Sequence, residues 1–128
     1  MVPAGIRCAV VFWGASGFLF NRRFALGWHA LDDPANHGLA FGVFETNGWH
    51  NVAALILGGL AVAFSRSPKA RVAAAVMGAV YAVITIQVAV ADPVVIASNV
   101  ADNVLHLILA LGGLVAALVS PPGGDRRA

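Results

Sequence analysis

Charge is what this sequence has least of. Only 11% of its 128 residues are Asp, Glu, Lys or Arg, against about 25% in ordinary soluble domains. Six acids and eight bases cannot clothe a soluble domain of this size. Disorder is excluded for the opposite reason, because 59% of the chain is hydrophobic and disordered segments are poor in apolar residues. Cysteine is also scarce. Cys8 stands alone, so no intramolecular disulfide can form, and it reads as a small apolar packing residue. The basic residues nowhere form a dense patch interleaved with aromatics, so the net charge of +2 carries no nucleic-acid footprint. Gly-x-Ser-x-Gly, His-Glu-x-x-His and phosphate-cradling loops are all missing. No known catalytic motif therefore points to an enzyme, and a lone general base such as His50 is the catalytic option left open.

What the chain does have is long apolar runs, at a mean hydropathy of +0.82. Four segments stand out, at about 2–20, 47–64, 72–91 and 100–119. A helix needs about 20 residues to cross a bilayer core. Open sheets cannot cross it, because their edge amides and carbonyls find no partner in lipid. The run Val72–Val80 lacks the alternation of a barrel strand. The expected fold is therefore all-α, a transmembrane four-helix bundle forming one domain over residues 1–120, with a frayed Pro/Gly-rich tail at 121–128. The first run follows Arg7 and ends at Asn21-Arg22-Arg23 rather than at a small-x-small cleavage site. It reads as a retained span.

The connections carry topology. With four spans, one side gathers Arg7, Arg66, Lys69, Arg71, Arg126 and Arg127, and the other only Arg22 and Arg23. The positive-inside rule then places both termini in the cytoplasm of a multi-pass protein of the bacterial plasma membrane. Its outer side holds Asp32, Asp33, Glu45, Asp92 and Asp102, with His29, His37, His50 and His106 on or near it. Trp13, Trp28, Trp49 and Phe41 are candidate interfacial anchors. The stretch Leu39–Thr46 is mixed and reads either as a helical extension or as an interfacial segment. The Gly-x-x-x-Gly form at Gly38–Gly42 begins outside the second core span.

The most informative feature is a duplication. Asn47-Gly-Trp-His-Asn-Val-Ala-Ala-Leu-Ile-Leu aligns, 52 residues on, with Asn99-Val-Ala-Asp-Asn-Val-Leu-His-Leu-Ile-Leu, with six of eleven positions identical. Internal repeats fix architecture, and this one makes spans two and four equivalents related by an axis along the membrane normal. Asn47 and Asn99 suit the N-cap, where a side-chain oxygen accepts one of the free amides that open a helix. His50 and Asp102, three residues further, stand where a side chain can reach back as in a capping box. Asn51, Asn103 and His106 lie deeper, where a polar side chain needs a partner. Helix spacing puts Asp102, Asn103 and His106 on one face. The expected polar cap is thus Glu45, Asn47, His50, Asn51, Asn99, Asp102, Asn103 and His106.

These segments, Phe44-Glu-Thr-Asn-Gly-Trp-His-Asn-Val and Asn99-Val-Ala-Asp-Asn-Val-Leu-His-Leu, resemble the paired signatures of domain of unknown function 4383. That is a family of small, mostly actinobacterial membrane proteins with about four spans. The resemblance covers roughly residues 1–120 and implies no activity. Members often carry a second histidine four residues after the first, where this chain has Ala54.

Two kinds of role follow from the cap. In one, its side chains cap helices and bond across interfaces, and the protein is a non-catalytic structural or accessory membrane component. Its partners are then the lipid bilayer and another membrane protein or a second copy of itself. In the other, the cap holds a small ligand, a proton or a metal, with His50, His106 and Asp102 as candidate metal ligands and the loop 21–38 closing over them. Beyond such a metal, the sequence implies no cofactor. Haem fits poorly, because His50 and His106 differ by about a turn in depth. Transport has little to line it, since the third span offers only Tyr81, Thr85 and Gln87.

Overall fold

The computed structural model describes residues 4–24, 26, 31–90 and 96–120, with side chains from residue 11 onward. Four helices carry most of the chain: α1 (Ala4–Gly17), α2 (Gly48–Phe64), α3 (Ala70–Val90) and α4 (Val100–Val119). α3 and α4 are long and apolar enough to cross a membrane, with mean hydropathies of 2.0 and 1.9, and α2 is a shorter apolar helix. Cys8 and Arg7 lie in the part of α1 whose side chains are not described. Trp28, His29, Asp92 and the tail 121–128 lie outside the described residues.

The helices pack as two hairpins, α1 on α2 and α3 on α4, with far less contact between α2 and α3. Glycine permits each close approach. A Cβ on Gly14 would lie 2.7 Å from the Leu55 amide nitrogen, and one on Gly78 would lie 2.8 Å from that of Leu114. Small residues let helix backbones come together where bulky ones hold them apart. The interior is correspondingly small or polar. Among the described residues its apolar part is six alanines and Tyr81, while the largest fully buried side chains are Asn47, Asn51, Thr46 and Asp102. Large aliphatic side chains such as Val83, Ile86, Ile108 and Leu118 point outward.

The stretch before α2 is not a helical extension. It is a hairpin of two short strands, β1 (Gly38–Ala40) and β2 (Phe44–Thr46), antiparallel with Ala40 opposite Phe44 and Gly38 opposite Thr46. Phe41 (φ 54°) and Gly42 (φ 73°) turn the chain between them. Positive φ is ordinary for glycine and uncommon for phenylalanine. The spacing of Gly38 and Gly42 therefore belongs to a strand and its turn, not to a helix-packing motif. Phe41 is held by rings on α1 and just beyond it: its centroid is 5.4 Å from Trp13 and 5.0 Å from Phe20. Trp13 also meets Phe44 edge-on at 4.6 Å. Trp13 thus packs the hairpin onto α1 rather than standing alone as an anchor.

Candidate functional site

The segments beginning at Asn47 and Asn99 open their helices in the same way and then differ. Asn47 accepts the His50 amide at 3.0 Å, and Asn99 accepts the Asp102 amide at 3.1 Å. Each satisfies one of the amides that a helix start leaves free. In α4 the box closes, because Asp102 Oδ2 accepts the Asn99 amide at 3.1 Å. In α2 it does not. His50 Nδ1 lies 2.9 Å from the Ala97 carbonyl. A carbonyl only accepts, so His50 donates there and does not reach back to its own cap.

This difference ties the halves of the molecule together at one end. Asp102 Oδ2 also accepts the Glu45 amide of β2 at 2.8 Å, and Asn99 Nδ2 donates to the Val43 carbonyl at 2.9 Å. With the His50 bond to Ala97, three hydrogen bonds join the β-hairpin and α2 to the start of α4. A carboxylate accepting two backbone amides is a charge-assisted arrangement, stronger than a neutral bond.

Asn51 anchors the other neighbour. Its Oδ1 accepts the Thr46 hydroxyl at 2.6 Å, and its Nδ2 donates to the Asn21 carbonyl at 2.9 Å. Gly17 makes room for it, since a Cβ there would fall 1.8 Å from Asn51 Oδ1. The loop after α1 is docked as well. The Gly48 amide donates to the Arg23 carbonyl at 2.7 Å, and Phe24 meets Trp49 edge-on. Of the loop 21–38, residues 25 and 27–30 fall outside the described set, so its cover over the site is described only in part.

Glu45 is turned elsewhere. Its carboxylate pairs with His37 Nδ1, while His37 Nε2 lies 2.5 Å from the Leu31 carbonyl. Acceptors on both ring nitrogens call for the doubly protonated imidazolium. Burial disfavours that charge, but the Leu31 carbonyl and the Glu45 carboxylate outweigh it and raise the His37 pKa.

Below the cap the arrangement changes from bonded to open. His106 faces His50, with ring centroids 5.7 Å apart, and stacks on Tyr81, also at 5.7 Å. The difference of one turn in depth does not keep the two histidines apart. Each ring stands off its own helix, and one turn is only about 5.4 Å. His50, His106 and Tyr81 line a cavity of about 180 Å³ whose other walls are apolar, among them Trp13, Ala54 and Leu109. Four buried polar atoms have no hydrogen-bond partner among the described residues: Ser98 Oγ, Asp102 Oδ1, Asn103 Oδ1 and His106 Nδ1. Asp102 and His106 share a helix face without bonding to each other. Among the described residues no three His, Cys, Asp or Glu side chains gather as metal ligands, so His50, His106 and Asp102 do not form such a set.

Sequence reasoning missed Thr46, Asn21 and Tyr81 as parts of this region. Tyr81 had a signal, being the single tyrosine of the chain in an otherwise apolar helix. A buried tyrosine usually needs something for its hydroxyl. Thr46 and Asn21 act through contacts that no spacing rule reaches.

The chain belongs to the family described as Domain of unknown function (DUF4383), whose model matches residues 8–119. No curated protein and no solved structure matches it.

Proposed function

We propose that this chain is an integral, multi-pass protein of the bacterial plasma membrane, with the residues before α1 and after α4 on the cytoplasmic side. In this reading all four helices span, and the repeat makes α2 and α4 equivalents. Its role is that of a non-catalytic structural or accessory component. One observation carries the reading: the largest fully buried side chains are asparagine, threonine and aspartate, set among alanines, while valine, leucine and isoleucine cover the outside of α3 and α4. In water that distribution forfeits the hydrophobic driving force. In lipid it is the favourable one, since buried polar groups find partners and the outer surface meets acyl chains. The non-catalytic role is supported by where the polar side chains go, because Asn47, Asn51, Asn99 and Asp102 bond backbone amides and carbonyls.

A second reading has its own support. The cavity below the cap, with a buried imidazole nitrogen left unpaired, favours a small-ligand site within the same protein.

The membrane reading is tested by single cysteines in a Cys8→Ser background, labelled in intact cells by an impermeant maleimide. A cysteine at Ser67 should react only after the cells are opened, and one at Asp33 should react at once. Reaction of both from outside, or release of the protein by alkaline carbonate, overturns the reading.

A further inference from the structure

The alignment of the two related segments sets Ala54 of α2 against His106 of α4. Both line the cavity. Where one copy carries an imidazole the other carries a methyl group, and a methyl group at Ala54 leaves the space beside it unfilled by a side chain. The cavity measures about 180 Å³. An engineered apolar cavity of about 150 Å³ admits benzene, so this one has room for a single six-membered ring with a small substituent.

Its polar groups sit together. His106 is 6% exposed, its Nδ1 has no hydrogen-bond partner, and its ring lies beside that of His50. His50 already donates from Nδ1 to the Ala97 carbonyl. Its other ring nitrogen is then an acceptor in the neutral form. A hydroxyl both donates and accepts, so it can pair with His106 in either tautomer and still face His50. A charged group would meet no opposite charge among these lining residues, and a purely apolar molecule would leave the imidazole unpaired at a cost.

We propose that the cavity between the two helical hairpins binds a small neutral aromatic alcohol, a single ring held by the apolar walls with its hydroxyl on His106. The proposal deepens the ligand-site reading and stands apart from the membrane placement.

The test uses the full chain, ¹⁵N-labelled on histidine, in mild detergent. Phenol and toluene are the probes, nearly equal in size and differing in the hydroxyl. Imidazole nitrogen signals are followed against free probe concentration, corrected for partition into protein-free micelles. Phenol should shift the His106 signals saturably, at about tenfold lower concentration than toluene, as one buried hydrogen bond predicts. Ala54→Phe fills the space and should abolish saturation. In His106→Phe, read on His50, phenol and toluene should bind alike. Helix content by circular dichroism establishes that each variant is folded, and His106→Phe serves alone where Ala54→Phe is not. The inference is overturned if phenol gives no saturable shift, if toluene matches it in the unmodified chain, or if the preference survives in His106→Phe. A silent titration of a protein whose Ser67 cysteine labels only from the cytoplasm removes this inference and leaves the membrane reading standing.

Discussion

His37, paired with Glu45, sits outside the helices, and the sign of its effect on stability is fixed by the ring. A histidine whose pKa is raised on folding stabilises most when both states would hold the proton, below its ordinary value of about 6.5. That stabilisation fades as the pH rises through the raised folded value. Thermal unfolding of the unmodified protein and of His37→Gln should therefore differ most near pH 5.5 and converge by pH 9. Both side chains are partly exposed, so the gap is modest. A gap independent of pH would remove the imidazolium from the account. Much at this scale was legible beforehand. Asn47 and Asn99 could be placed as caps because capping is local and follows from residue type. The His37–Glu45 pair and the second bond of Asp102 were not legible, because each depends on how a loop or hairpin folds back.

Among the elements, the glycines separate into two kinds. Gly59 and Gly112 face open space, with no atom within 4 Å of an added Cβ. A Cβ on Gly78 would lie 3.0 Å from the Ala110 carbonyl oxygen and 2.8 Å from the Leu114 amide nitrogen. Gly59→Ala should be neutral or raise stability by up to about 1 kcal/mol, the difference in helix propensity. Gly78→Ala should destabilise by about 1–3 kcal/mol, since the α3–α4 backbones must separate. Unfolding in detergent, followed by circular dichroism, compares the two. Equal effects would mean that α3 and α4 are not closely packed at Gly78. The helices were readable because apolar runs of this length have few alternatives. The β-hairpin was not. Leu39–Thr46 has too few residues for a period to emerge, and its turn uses a phenylalanine at positive φ where only glycine would signal one.

Across the whole molecule, two hairpins meet through a narrow zone at one end and a thin contact between α2 and α3. Among the described residues, the turn between them, 65–69, is held by short local hydrogen bonds, such as Lys69 N to Ser67 Oγ. Residues 1–67 and 68–128, expressed together as separate chains, should co-purify. Asp102→Leu, which removes the acceptor for the Glu45 amide, should reduce recovery of the pair several-fold, whereas Val104→Leu on the exposed face should not. Independence of recovery from Asp102 would place the cohesion elsewhere. Composition alone indicated that charged residues are too few to cover a soluble domain. It could not indicate which half bonds to which, because those bonds join positions about fifty residues apart.

One of those bonds has a consequence for synthesis. The Glu45 amide is completed by a carboxylate 57 residues further along the chain. At about 5–20 residues per second, the ribosome delivers that partner roughly 3 to 11 seconds after Glu45 itself. Throughout that interval the first half of the protein exists with an open strand amide and with Asn99 yet to arrive at Val43. Any factor that accompanies the nascent chain meets it in that form, and the β-hairpin is completed only when the start of α4 arrives.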